Sequence, residues 1–309
     1  MSIRFDGRVA IVTGAGNGLG RCHALGLAER GAKVVVVDFG GARDGSGGSS
    51  EAARKVVAEI EAKGGEAMAH GANVTDMAQV TDMVEKTMAR WGRVDILVNN
   101  AGILRDKTFS KMDLADFKTV VDVHLIGSVN CTKAVWEIMR AQNYGRIVFT
   151  SSGSGIYGNF GQSNYGAAKA GVVGLMNVLH QEGSKNDIRV NTLAPTAATR
   201  MTEELLPKEA LDLMTPESIT PGLLVLVAEN APSKFILSAG CGTFARIVIE
   251  ETDGVYFPET ERTPEQIAAR LGEICDTRGK APLPGAFDQT KKLIAKAAAA
   301  KGVSVPGLS

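Results

Sequence analysis

The run from residue 9 to residue 38 constrains this chain more than any other. Val9-Ala10-Ile11-Val12 is a short continuous apolar stretch, the pattern of a strand buried on both faces. It enters Thr13-Gly14-Ala15-Gly16-Asn17-Gly18-Leu19-Gly20 directly, residues 21–30 then carry helical patterning, and Gly31 closes that helix as glycine favours. A second strand, Lys33-Val34-Val35-Val36-Val37, ends in Asp38. Two such strands joined through a helix commit the chain to a parallel sheet with helices packed on its faces. The turn also has a chemistry. Gly14, Gly18 and Gly20, with Asn17 and Leu19 between them, let backbone approach a pyrophosphate at the positive end of the following helix. Asp38 stands 18 residues beyond Gly20, where an acid accepts hydrogen bonds from the ribose hydroxyls of a dinucleotide.

The rest of the chain repeats the alternation. Strands are expected at residues 67–70, 95–98, 146–149 and 188–193, and helices at 80–89, 114–140 and 163–179. The prediction is an α/β fold, a Rossmann-type doubly wound parallel sheet. Its strand exits gather Gly14, Asp38, Asn100, Ser152 and Pro195 along one edge, where open α/β sheets bind ligands. A length of 309 residues allows one large α/β domain or two smaller ones, and 44% apolar content suffices for a core. Residues 40–50 read as a polar surface insertion. Beyond residue 242, two short strands are expected at 246–250 and 255–257 around the turn Thr252-Asp253-Gly254, then helices at 263–276 and 290–301. We read residues 1–242 as the nucleotide-binding domain. Residues 243–309 form a C-terminal extension on the same domain, too short and polar for a core of their own.

The second informative stretch is Thr150 to Lys169. Ser151 and Ser152 leave the strand at 146–149, and Tyr165 and Lys169 lie four apart on one helix face. An ammonium beside a phenol favours phenolate and draws the tyrosine down from about 10. A serine hydroxyl from the strand end can hold a substrate oxygen against that phenol, giving a proton relay between an alcohol and a carbonyl. Taken singly, a glycine-rich turn is more often an ordinary loop and a tyrosine–lysine pair more often a solvated face; their order along one chain makes the signal. Equal numbers of acidic and basic residues, 34 each, argue against a polyanion surface, so no nucleic-acid partner is expected. Cys22, Cys131, Cys241 and Cys275 have no metal-ligand or redox spacing, so no metal is expected and a reducing compartment is. With no basic-plus-apolar leader, no apolar run of membrane-spanning length and no peroxisomal address at Gly307-Leu308-Ser309, a soluble cytoplasmic enzyme without membrane contact is expected.

Three motifs together, Gly14/Gly18/Gly20 in a TGxxxGxG pattern, Asn99-Asn100-Ala101-Gly102, and Ser152 with Tyr165 and Lys169, resemble the short-chain dehydrogenase/reductase family over residues 7–242. The stretches following Gly102, around His124, through 144–165 and at 191–201 are similar to the (3R)-hydroxyacyl-CoA dehydrogenases of the multifunctional enzymes of peroxisomal β-oxidation. The resemblance implies an NAD-dependent alcohol:ketone oxidoreductase acting on a small molecule, a 3-hydroxyacyl-CoA. It makes Tyr165 the acid/base, Lys169 the group that lowers its pKa and meets the nicotinamide ribose, and Ser152 the holder of the substrate oxygen. Asn100, Ala101, Gly102 and Pro195 would line the cofactor, Asn73 and Val74 would face the adenine, and Thr199 would reach the carboxamide. His124 stands where most of the family has an asparagine that completes a proton relay; a core histidine satisfied by backbone is the equal alternative. Tyr157 reads as a pocket wall, His70 and His180 as structural. Arg105, Lys107 and Lys111 are candidates for a basic rim toward CoA phosphates, though solvated charge explains each singly. Asp38 repels a 2′-phosphate and Asn17 stands where NADP-using relatives often carry arginine, so NAD is the expected cofactor; Arg43 is the nearby cation. Apolar residues on several faces of the helices at 114–140 (Val120, Val121, Leu125, Ile126) and 163–179 (Val172, Val173, Leu175, Met176) imply a homodimer or homotetramer. Two other classes stay open: a dehydrogenase of the same family for a steroid, polyol or other secondary alcohol, and a non-catalytic NAD-binding protein.

Overall fold

The computed structural model describes residues 2–41, 44–45, 49–197 and 207–306. The chain forms two compact units, residues 1–246 and 247–309. In the first, elements follow in the order β1 (Val9–Thr13), α1 (Gly18–Ala28), β2 (Lys33–Val37), α2 (Glu51–Ala62), β3 (Ala67–His70), α3 (Met77–Trp91), β4 (Ile96–Asn99), α4 (Leu114–Val121), α5 (Gly127–Gln142), β5 (Gly145–Thr150), α6 (Gly153–Tyr157), α7 (Ser163–Gly183), β6 (Ile188–Thr196), α8 (Lys208–Leu213), α9 (Thr220–Leu226), β7 (Ile236–Gly240) and β8 (Thr243–Ile247). They build one eight-stranded sheet in the order β3-β2-β1-β4-β5-β6-β7-β8. β1 through β7 are parallel, with β1 paired to β2 on one side and β4 on the other. The order reverses at β1, and the crevice at that switch point is where such sheets take ligands.

The apolar strand runs are buried because helices cover both faces. Val9, Ala10, Ile11 and Val12 are each 0% exposed, and a fully buried valine or isoleucine contributes roughly 1.5–3 kcal/mol. α3 ends at Gly92 with φ 71° and begins under Asp76, whose carboxylate accepts from the amides of Ala78 and Gln79.

Several expectations are corrected. The helix expected over 114–140 is broken by a π-helical turn, Asp122–Ile126, which reorients the side chains there. The strand expected at 246–250 lies earlier, as β8; the only connection from β7 is Cys241-Gly242, with φ of 51° and 71°, the two left-handed residues a tight hairpin needs. No strand forms at 255–257, which has no neighbouring strand to pair with. β8 continues the first compact unit past Gly242 to Arg246. Of the apolar residues read on the helices at 114–140 and 163–179, Val120, Val172, Val173 and Met176 are buried within the chain and Ile126 stays exposed.

The second unit holds α10 (Pro264–Ala269), α11 (Leu271–Ile274) and α12 (Ala286–Lys301), the first two replacing the single helix expected at 263–276. Lys292 and Lys296 on α12 pair with Glu251 at 2.9 Å and Asp253 at 2.7 Å. Among the described residues of this unit none is buried. No helix among the described residues is long and apolar enough to cross a membrane.

Candidate active site

The carboxyl ends of β1, β2, β4, β5 and β6 open into one cleft of about 1140 Å³. Its walls include Gly14, Asn17, Gly18, Leu19, Gly20, Asp38, Asn73, Val74, Asn100, Ala101, Gly102, His124, Ser152, Tyr165, Lys169 and Pro195, so the sequence-predicted set converges. Thr199 and Arg43 lie outside the described residues.

The exits of β1 and β4 are sewn together. Thr13 Oγ1 accepts from the amides of Asn100 and Ala101, both at 3.0 Å, and Asn100 Nδ2 donates to the carbonyls of Thr13 (3.0 Å) and Gly14 (3.1 Å). Gly14 takes φ 64°, and a Cβ there would stand 2.8 Å from Ala101 Cα, so only glycine fits the approach. Asn17, the N-cap of α1, makes no side-chain cap, which leaves the first amides of that helix open toward the cleft. Asp38 Oδ2 accepts from Gly16 N and Oδ1 from Gly40 N, each at 2.7 Å. An uncapped helix start, a glycine turn and a fixed carboxylate at one crevice fit a dinucleotide, with phosphates at the helix and ribose at Asp38.

The chemical groups meet at the end of β5. Ser151 is buried and donates through Oγ to the Lys169 carbonyl at 2.7 Å, a structural role. Ser152 caps α6, accepting from Ser154 N at 3.2 Å, and its hydroxyl partners Tyr165. Lys169 is buried, donates from Nζ to the Thr150 carbonyl, and lies 5.5 Å from the centre of the Tyr165 ring. Burial lowers the Lys169 ammonium to about 7. Burial also raises the Tyr165 phenol, partly countered by Ser152, while the nearby Asp106 charge raises it further. The expectation that Lys169 draws the phenol down is therefore not met in the protein by itself. Desolvation dominates at both groups, raising the phenol and lowering the ammonium.

The π-helical turn delivers His124 to the cleft floor, 2% exposed, with its ring edge-on to Tyr165 at 5.0 Å between centres. Its Nε2 is 2.7 Å from the Ile103 carbonyl and 3.1 Å from the Ile103 amide. The shorter contact requires the proton on Nε2, since two lone pairs at that distance would repel. Nδ1 is then a buried acceptor without a partner among the described residues. Burial, and after it the Lys169 charge, holds the imidazole well below its ordinary pKa, so it is neutral.

Sequence reasoning missed Thr150, Ser154, Asn159 and Gln162, all on the cleft wall. The polar run between Ser152 and Tyr165 was the only signal for the last three. Tyr157, expected as a wall, is 77% exposed and stands outside the lining. His70 meets Asp82 at 3.0 Å, as a structural histidine should. Arg105 is engaged by Asp116 and by the Asp44 carbonyl, both at 2.9 Å, so it is not a free rim charge.

A parallel sheet with a dinucleotide crevice and a serine–tyrosine–lysine constellation on one wall defines an alcohol:ketone oxidoreductase. The family model for short chain dehydrogenases matches residues 8–210, and the chain belongs to that family. Among its relatives, mouse peroxisomal multifunctional enzyme type 2 is 47% identical over 89% of this chain and 37% of its own length. A putative short-chain type dehydrogenase/reductase of Mycobacterium tuberculosis is 46% identical over 88% of this chain and 95% of its own. The solved full-length peroxisomal multifunctional enzyme type 2 of Drosophila melanogaster superposes with a TM-score of 0.80 at 37% identity, covering 96% of this chain and 50% of that one. The chain thus spans only about a third of the mouse enzyme's length.

Proposed function

We propose that the protein oxidises (3R)-3-hydroxyacyl-CoA to 3-ketoacyl-CoA with NAD. The observation that carries the reaction type is the meeting of Ser152, Tyr165 and Lys169 on one wall of the dinucleotide cleft. The substrate is supported by the motif resemblance and by similarity over most of the chain to the multifunctional enzymes. NAD, rather than its 2′-phosphorylated form, is supported by Asp38, whose carboxylate is fixed by two backbone amides where the ribose hydroxyls would lie.

A bound nicotinamide supplies the acceptor for hydride from the carbinol carbon, so alcohol and NAD give ketone, NADH and a proton. Tyr165 removes the hydroxyl proton as the C–H bond breaks. Ser152 donates to the oxygen as it becomes a carbonyl, and Lys169, when charged, would favour phenolate against the burial that raises the phenol in the free protein. His124 anchors Ile103 behind Gly102 and leaves its neutral Nδ1 able to accept a hydrogen bond. In the assembled enzyme we place a second copy on the face of α4 and α5 and on α7, where Leu114 (70%), Val129 (37%) and Val178 (52%) stay exposed; a monomer by light scattering would remove that part. The free thiols of all four cysteines suit a cytoplasmic location, which fractionation of the native cell would check. We place residues 243–309 as an extension of the catalytic domain; loss of folding on truncation after residue 246 is expected, and an intact, active truncation would contradict it.

The deciding experiment follows NADH formation with (3R)- and (3S)-3-hydroxyacyl-CoA of short, medium and long chain. Turnover restricted to the (3R) series is expected. Silence on all CoA esters with turnover of another secondary alcohol would return the substrate to a steroid or polyol.

A further inference from the structure

Next to the catalytic trio lies a polar cluster that hydride transfer does not use. Gln162 Nε2 is 2.7 Å from Asp106 Oδ2, and a carboxylate only accepts, so the amide nitrogen must face it. That fixes the other end. Gln162 Oε1 receives Ser154 Oγ at 2.7 Å and Asn159 Nδ2 at 3.0 Å, so both neighbours are forced to donate. Ser154 has then given its only hydroxyl proton. Asn159 is oriented nitrogen-first, and its second N–H has no partner among the described residues. Ser154, Asn159 and Gln162 line the same cleft as Ser152 and Tyr165.

The cluster sits close to the chemistry. Ser154 N donates to Ser152 Oγ at 3.2 Å, and the Asp106 charge reaches the Tyr165 phenol. The backbone around it is stapled as well. Gln162 N donates to the Asn159 carbonyl at 3.2 Å, and Lys107 N to the Gly161 carbonyl at 3.0 Å, holding the 158–162 turn against the segment that carries Asp106. A donor oriented through one amide and a carboxylate, at the cleft edge and with one N–H to spare, is arranged to meet an acceptor on the substrate.

We propose that Asn159 is a specificity-determining residue, donating to a second carbonyl oxygen of the substrate, the thioester carbonyl of a 3-hydroxyacyl or 3-oxoacyl group, with Asp106 and Gln162 as its orienting pair. The proposal rests on the dehydrogenase reading above and names what selects the substrate within it. A plain secondary alcohol offers one oxygen, which Ser152 and Tyr165 hold. A 3-oxoacyl thioester offers a second acceptor two carbons away, which only a neutral, correctly turned N–H can take.

The test compares, for each protein, kcat/KM on a 3-hydroxyacyl-CoA with kcat/KM on a 2-alkanol that has no carbonyl. In Asn159→Asp an acceptor replaces the donor, and the ratio is expected to fall roughly tenfold, carried by KM. Asn159→Gln should recover part of the loss. In Asp106→Asn, Gln162 is free to turn over; the ratio falls by a smaller factor, and the pH profile moves to lower pH because a charge that raises the phenol is gone. An unchanged ratio in Asn159→Asp, or equal losses on both substrates, overturns the proposal while leaving the reading of the enzyme intact. Failure of the unaltered protein on the CoA ester, with the 2-alkanol still oxidised, overturns both.

Discussion

The two ends of the parallel sheet are built on opposite rules. At the amino ends of the strands, charge is buried and fully matched. Arg146, wholly buried at the start of β5, donates to the carbonyls of Gly145, Asp187, Ala228 and Glu229 and to the Asp187 carboxylate. Asp95, equally buried, takes Arg8 at 3.1 Å, Arg93 at 2.6 Å and the Val9 amide at 2.9 Å. Tyr144 lies between the guanidinium groups of Arg8 and Arg146, at 3.6 and 4.1 Å. At the carboxyl ends, polar atoms at the cleft are buried and left wanting: Thr150 Oγ1 and His124 Nδ1 have no partner among the described residues, and the Lys169 ammonium is destabilised to about 7. Matched groups fasten the strands; unmatched ones are held ready for a ligand that completes them.

The contrast can be broken from either end. The largest effect is expected from Tyr165→Phe, which should cut kcat by about 10³-fold while the thermal midpoint stays within a few degrees; unchanged turnover would remove Tyr165 from the mechanism. At the other end, Arg146→Ala removes a buried donor from four carbonyls and from the Asp187 carboxylate, which keeps Arg189 at 2.9 Å. It should cost about 3–5 kcal/mol in urea unfolding, with kcat per folded molecule preserved. A lowered kcat at full stability would show that the two edges are not separable.

Lys169→Met sharpens the comparison because stability and activity should move in opposite directions. Folded Lys169 releases its proton near 7, whereas the unfolded side chain holds it to about 10.4. Between those values the unfolded state binds more protons, so the native protein gains stability from this group as pH rises and loses it as pH falls toward 7. Replacing the lysine should therefore stabilise the protein by roughly 1–3 kcal/mol at pH 7, with the gain fading toward pH 10. Activity should be lost throughout; no pH dependence in the stability difference would contradict the buried-ammonium account. The smallest effect is expected from His124→Asn, about a fewfold in kcat, because an amide can serve both the Ile103 amide and carbonyl. A loss as large as that of Tyr165→Phe would make His124 an obligatory proton carrier.

What the sequence disclosed follows from these rules. The strands β1, β2, β4 and β5 are legible because burial on both faces leaves continuous apolar runs bounded by glycine and polar turns. β8 is almost entirely exposed and belongs to the sheet only through its hairpin, so its residues carry no pattern. Val255-Tyr256-Phe257 has strand composition, but composition supplies no neighbour to bond with. The glycine turn, Asp38 and the Ser152, Tyr165 and Lys169 set are legible because their spacing is local to one strand exit or one helix turn. The Asp106–Gln162–Asn159 chain was not, since it joins residues up to 56 positions apart and depends on which way an amide faces. The π-helical turn under His124 was equally hidden, because its sequence reads as continuous helix.

Asp38 has a consequence for how this enzyme could change over generations. Its two oxygens hold the Gly16 and Gly40 amides, so the residue that would reject a phosphorylated ribose also ties down the turn that receives the dinucleotide. A lineage drifting toward the phosphorylated coenzyme could not begin by replacing this acid, since the first substitution would loosen the pocket before any new preference was gained. Other contacts to the turn would have to arise first, and the coenzyme habit of such a lineage is in that sense inherited together with its architecture.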